Sequence, residues 1–177
     1  MRYSIRSQIV TGAFSADSQI LVGTNLGKDA NNLVGQVRTL GVSIQIGRDS
    51  EGRHLEVART IEADAAAVWE AFVDVREWPE WGPSVTAVEC QHRYIQDGST
   101  GRVCVFGIWF PFEIDSFSES EPRRWSWQIR GFSATGHRVE QFKGSRSRAV
   151  FEIPLYAVWY TPVCQIALSR IERIATT

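Results

Sequence analysis

The stretch VARTIEADAAAVWEAFVDVREWPEWGPSVTAVE, residues 57–89, changes its periodicity twice, and those changes set the order of the first elements. Leu55, Val57 and Ile61 fall on one face of a period-two strand, with Glu56, Thr60 and Glu62 on the other. Asp64 then stands at a helix-cap position before "AAAVWEAFVDV" (65–75), where Val68, Phe72 and Val75 recur at helical spacing. In "REWPEWGPSV" (76–85), Pro79, Gly82 and Pro83 break any long helix and leave Trp78 and Trp81 three residues apart.

Downstream the chain reads mostly as strands. Residues 84–95 and 101–108 flank "DGST", 110–119 and 123–130 flank Glu121-Pro122, and 134–142 and 147–153 flank a Gly144 turn. The closing "LYAVWYTPVCQIALSRIERIATT" (155–177) places Thr161 as cap and Pro162 as first helical residue. Val163, Ile166, Ala167, Ile171 and Ile174 then form an apolar stripe opposite Gln165, Arg170 and Arg173. A longer helix from about Tyr156, kinked at Pro162, is the alternative.

Upstream the signal is thin. Of the 20 aromatic residues, only Tyr3 and Phe14 lie in residues 1–53. This segment reads as an N-terminal extension of unknown role, largely loop. "GTNLGKDANNLVG" (23–35) is loop or weak helix, and alternating Val42-Ser43-Ile44-Gln45-Ile46 is one candidate for an extra strand. Residues 54–177 form the domain.

Composition narrows the function classes. Net charge is -1 and the pI about 6.3, so no nucleic-acid partner is expected. No run approaches the ~20 apolar residues of a membrane-spanning helix, and no continuous apolar segment after Arg2 and Arg6 suits a secretory signal. Cys90, Cys104 and Cys164 are odd in number and widely spaced, which fits free thiols in the cytoplasm. His54, His92 and His137 lack metal-ligand spacing, and no phosphate loop, dinucleotide glycine pattern or serine elbow is present. No metal and no cofactor is expected.

The residues 57–89, together with "SEPRRWSWQIRG" (120–131) and "GHRVEQFKGSRSRAVFEI" (136–153), resemble the polyketide cyclase/dehydrase and lipid-transport branch of the START-like SRPBCC superfamily. The resemblance covers about residues 54–177. It implies an α+β helix-grip fold: a curved antiparallel sheet of about seven strands around a long C-terminal helix, with two short helices after the first strand and an apolar cavity between sheet and helix. It implies no universal catalytic set.

Strand faces suggest what lines that cavity. A two-residue turn at Glu121-Pro122 pairs Glu119 with Arg124 and Glu113 with Arg130 on a solvated face. The inner face then pairs Ser118 with Trp125, Ser116 with Trp127 and Ile114 with Ile129, an uneven surface suited to a ligand. If Phe151 and Ile153 face inward across an odd-length turn, so do His137 and Val139; a strictly two-residue turn reverses this. Phe72, Trp78, Trp81, Phe112, Tyr156 and Tyr160 complete the candidate ligand-binding set. His137 is the named acid/base candidate, with a cavity tyrosine as the other, against the plainer reading of a buried histidine satisfied by a carbonyl.

Two surface features stand out. "VCVFGIWFPF" (103–112), with a turn at Gly107–Pro111, would either expose Ile108, Trp109 and Phe110 as an apolar tip for peripheral membrane contact or fold them over the cavity mouth. The basic run Arg123, Arg124, Arg130, Arg138, Lys143, Arg146 and Arg148 is expected to be neutralised by Glu113, Asp115 and Glu119. The leading expectation is binding or transport of a small hydrophobic, aromatic or lipid-like molecule. The alternatives are a cyclase/dehydrase-type enzyme using a cavity His or Tyr, and a membrane or protein interaction module.

Overall fold

A computed structural model describes residues 37–39, 41–49 and 52–177 of the chain. The reading of residues 23–35 lies outside the described residues. The elements run β1 (Val37–Thr39), β2 (Val42–Asp49), β3 (Gly52–Ile61), α1 (Ala65–Val73), α2 (Trp78–Trp81), β4 (Val85–Cys90), β5 (Thr100–Val105), β6 (Ile108–Ser118), β7 (Arg123–Ile129), β8 (Phe132–Ser133), β9 (Gly136–Gln141), β10 (Ser147–Pro154), a 3-10 segment (Leu155–Tyr160) and α3 (Thr161–Ala175). One curved antiparallel sheet, in the order β1-β2-β3-β10-β9-β7-β6-β5-β4 with β8 beside β7, wraps around α3. The seven expected strands are β3 to β7, β9 and β10; β1, β2 and β8 add to them. β2 pairs with β3 from Val42↔Arg59 to Asp49↔Gly52, so residues 42–49 extend the sheet on the N-terminal side of residue 54.

Helix α1 starts where its pattern begins, but the Asp64 side chain caps nothing. The Ala65 amide donates instead to Gln141 Oε1 at 2.8 Å, a partner from β9 that satisfies the same orphan donor. α1 buries Val68 and Phe72 against the concave sheet face.

The C-terminal helix starts within a residue of the shorter expected form, with Pro162 in its first turn, and the longer helix from Tyr156 does not form. Residues 155–160 make a 3-10 segment that breaks helical geometry at Ala157 (φ -110°, ψ 19°), and α3 begins at Thr161. The Thr161 hydroxyl donates back to the Val158 carbonyl (2.6 Å) and is no cap for α3. The buried stripe is Cys164, Ala167, Leu168 and Ile171, whereas Ile166 is exposed. Arg59, on the inner face of β3, fixes the far end of α3 through Glu172 (2.7 Å).

The β6–β7 register differs from the expected one. Ile114 pairs with Trp127, but Ser116 pairs with Ser126, Phe117 with Trp125 and Ser118 with Arg124, with a bulge between Ile114 and Ser116. The extra residue reverses the alternation of β6 beyond that point. Phe117 therefore turns inward against Trp69 (ring centroids 5.5 Å), and Ser118 is exposed.

Charge pairing on the outer face changes accordingly. Arg124 bonds Glu152 (2.8 Å), while Arg138 reaches Glu152 (2.9 Å), Glu56 (2.8 Å) and Glu140 (3.0 Å). Arg148 bonds Glu140 at 3.3 Å. Thus Glu56, Glu140 and Glu152 neutralise these arginines, in place of Glu113, Asp115 and Glu119, and Glu56 and Glu152 are buried rather than solvated. Burial alone would raise the Glu56 carboxyl. Hydrogen bonds from Gln45 and Arg138 and the charges of Arg138 and Arg148 outweigh it and hold the pKa below 4.5.

Candidate functional site: an aromatic hollow under the C-terminal helix

Strand pairing lines up one row of side chains across the concave face. Val57 on β3 opposes Phe151 on β10, which opposes His137 on β9, which opposes Trp125 on β7. The five-residue loop between β9 and β10 is odd in length, which puts His137 and Val139 on the inner face with Phe151. His137 lies flat on Trp125, with ring centroids 3.8 Å apart and planes 11° apart. Trp78, on α2, stacks parallel to Trp125 at 5.4 Å and 3°. Helix α2 is held in place by its own indoles: Trp78 Nε1 donates to the Phe72 carbonyl (2.9 Å) and Trp81 Nε1 to the Ala71 carbonyl (2.8 Å).

Beside this stack lies a hollow of about 30 Å³, bounded by α2, β7, β9, β10 and the first turns of α3. Six of the expected residues line it: Trp78, Trp81, Trp125, Trp127, His137 and Tyr160. Phe72, Phe112, Ile114 and Val139 are buried core behind that wall. Three expectations fail. Ser116 and Ser118 leave the inner face because of the β6 bulge. Tyr156 is 67% exposed and donates its hydroxyl to the Ser133 carbonyl, because the 3-10 geometry separates it from Tyr160. The uneven indole-against-serine surface is therefore absent, since Trp125 faces Phe117 and Trp127 faces Ile114.

Sequence reasoning missed Gly82, Pro83, Val85, Thr135, Phe151, Val163, Cys164 and Ala167 as lining residues. The Val163 and Ala167 spacing carried a signal for α3, whereas Cys164 fell off the expected stripe. Alternation turns Phe151 inward, but only long-range pairing brings it to the hollow.

No charged side chain lines this hollow. Burial pushes His137 well below 6.5, with the charge of Arg124 adding to the effect, so the ring is neutral near pH 7. Burial pushes the Cys164 thiol up to about 12. Burial also raises the Tyr160 phenol, despite an opposing hydrogen bond with the Ser84 hydroxyl. Two buried polar atoms on the wall residues, Trp125 Nε1 and His137 Nδ1, have no hydrogen-bond partner. Trp127 Nε1 does have one, the Thr135 hydroxyl at 3.3 Å.

Other hollows are different in kind. One of about 310 Å³ on the outer side is lined by charged groups including Arg53, His54, Asp115, Arg124 and Glu152. Among the described residues, His54, Glu56 and Glu152 bring potential metal-ligand atoms within 4.8 Å of one another. Arg138 already bonds both carboxylates there and supplies the positive charge that a cation would bring.

A sheet gripping a C-terminal helix over an uncharged aromatic hollow defines a helix-grip protein of the START-like SRPBCC superfamily. The profile of the family described as "Polyketide cyclase / dehydrase and lipid transport" matches residues 53–162, and the chain belongs to that family. Solved structures share the fold. Human StAR-related lipid transfer protein 5 is 13% identical with a TM-score of 0.58, covering 84% of this chain and 88% of its own. A StAR-related lipid transfer protein from Xanthomonas axonopodis is 8% identical (TM-score 0.58; 82% and 100% covered). The Zhui aromatase/cyclase from Streptomyces sp. R1128 is 17% identical (TM-score 0.55; 70% and 93% covered). A comparison with curated protein sequences finds no match.

Proposed function

We propose that this protein binds and carries a small hydrophobic molecule between the concave sheet face and α3. The observation that carries this reading is the aromatic hollow itself, because its walls hold no charge and its lining includes four tryptophans. At about 30 Å³ the space holds roughly two waters, so a ligand must part the walls. The elements that cover the hollow are short. Helix α2 has four residues, and the 3-10 segment 155–160 buries none of its side chains. Neither of the lipid-transfer relatives nor the aromatase/cyclase shares enough sequence to choose a ligand. His137 is uncharged and has no carboxylate among the lining residues, so a carrier fits the site better than an acid/base enzyme.

The test is titration with N-phenyl-1-naphthylamine, a neutral probe that brightens in apolar surroundings, with native mass spectrometry of the fresh protein. Binding to the wild type and its loss in Ala167→Trp, which fills the hollow from α3, are expected. A wild type that rejects the probe and co-purifies with no small molecule refutes the reading.

We also propose a peripheral membrane contact at the β5–β6 tip. Phe106 and Gly107 form a two-residue turn with positive φ (48° and 83°), which leaves Phe106, Ile108 and Trp109 exposed. Phe110, expected at the tip, is half-buried under Arg130. Trp109→Asp should abolish vesicle flotation with the fold intact; flotation equal to wild type ends this idea. The unpaired Cys90, Cys104 and Cys164 support a reducing compartment, and we place the protein in the cytoplasm.

A further inference from the structure

Buried polar atoms in a folded protein nearly always have partners, and each exception calls for a cause. Here two exceptions fall on adjacent, stacked rings of the same wall. Trp125 Nε1 and His137 Nδ1 are both buried without a hydrogen-bond partner, on residues 0% and 1% exposed. Both residues line the aromatic hollow, and their β7–β9 pairing fixes them side by side. Their neighbour Trp127 shows what a satisfied indole looks like here, since Thr135 serves it. A core selected only for packing gains nothing from leaving an indole N–H and an imidazole nitrogen unserved, because a plain Phe at either place would avoid the desolvation cost.

We infer that Trp125 and His137 form a polar subsite that sets the specificity of the cavity, selecting a flat, uncharged molecule with a hydrogen-bonding oxygen over both the bare hydrocarbon and the corresponding anion. This rests on the reading of the hollow as a ligand site. The indole N–H donates to the oxygen, and Nδ1 accepts from a hydroxyl or donates to a carbonyl, according to its tautomer. Flatness follows from the Trp78 and Trp125 rings, parallel to within 3°, whose faces a planar ring matches best. Rejection of anions follows from the lining, which offers no cation to a buried carboxylate. The neutral states of His137, Tyr160 and Cys164 extend that uncharged lining to every titratable group on the wall.

The test uses one ring system in four forms: naphthalene, 2-naphthol, 2-acetylnaphthalene and 2-naphthoate, titrated at pH 7.5 by tryptophan quenching and calorimetry. Wild type should bind the naphthol or the ketone about tenfold more tightly than naphthalene, about 1.4 kcal/mol, and the naphthoate at least tenfold more weakly than the ketone. Trp125→Phe and His137→Phe keep a ring in place and should bring the oxygenated-to-bare ratio to within about twofold. Near-UV circular dichroism confirms that each variant is folded. Equal affinity for naphthalene and its oxygenated forms in the wild type overturns the subsite while leaving the ligand-binding reading intact. So does a ratio unchanged in both variants, which means internal water alone serves the two atoms. Binding of none of the four compounds overturns the subsite, and the ligand-binding reading falls with it when N-phenyl-1-naphthylamine is rejected and no small molecule co-purifies.

Discussion

Lowering the pH from 7.5 to 5.5 should weaken the wild-type fold by about 1.4 kcal/mol more than it weakens His137→Phe. His137 is 1% exposed, packed between Trp125 at 3.8 Å and Phe151 at 4.8 Å. Burial, reinforced by Arg124, keeps its pKa well below 6.5 in the folded protein. The unfolded chain therefore takes up the proton first. The stabilising contribution is complete above pH 6.5 and is lost as the pH falls from there toward the folded value. One unit below 6.5 the loss reaches about 1.4 kcal/mol, with a limiting slope of about 1.4 kcal/mol per pH unit. Glu56 acts in a separate window, because its depressed pKa costs stability only as the pH falls below 4.5. Urea unfolding of both proteins at pH 7.5, 6.5 and 5.5 measures the difference. Parallel pH dependence of the two proteins would mean that folded His137 protonates freely, which refutes the sealed, uncharged wall.

Trp78→Ala removes the outer ring of the Trp78–Trp125–His137 stack. It should cost about 3–5 kcal/mol by urea unfolding and weaken binding of naphthalene-type probes, because one flat wall of the hollow is gone; binding at least as tight as wild type would show that Trp78 is an obstacle and no contact. Arg138→Leu strips a shared partner from buried Glu56 and Glu152 and should cost about 3–5 kcal/mol. A loss under about 1 kcal/mol would place that network in water. Gly136→Ala puts a Cβ 2.6 Å from Glu152 Oε2 and 3.2 Å from its Cβ, so a loss of about 1–3 kcal/mol is expected by thermal or urea unfolding; no change would mean that Glu152 swings away freely.

Much of the fold was legible because it is local. A period-two run at 55–61 became β3, a helical period at 65–75 became α1, and the Trp/Pro break became α2. Turn chemistry placed the later hairpins to within a few residues. The site was legible in residue type and less so in position. His137 faces inward only on the odd-length alternative, and the five-residue loop between β9 and β10 decides for it. Ser116 and Ser118 were misplaced because one extra residue near Asp115 reverses alternation, and a bulge leaves little mark in composition. Glu56 falls by alternation on the face opposite Val57, yet it is buried there, which Arg138 and Gln45 from neighbouring strands make tolerable.

By itself, the sequence determined the order of elements, the family and the concentration of aromatic residues beyond residue 53, because periodicity, turn residues and composition act over a few residues at a time. Tertiary structure decided what those aromatics do. Trp78, Trp125 and His137 come from three elements and stack only once β7 and β9 pair and α2 docks over them. The same packing closes the hollow to about 30 Å³ and leaves two polar atoms unserved within its wall. Register, bulges and ring stacking depend on partners far apart along the chain, and that is why they emerged only from the folded molecule.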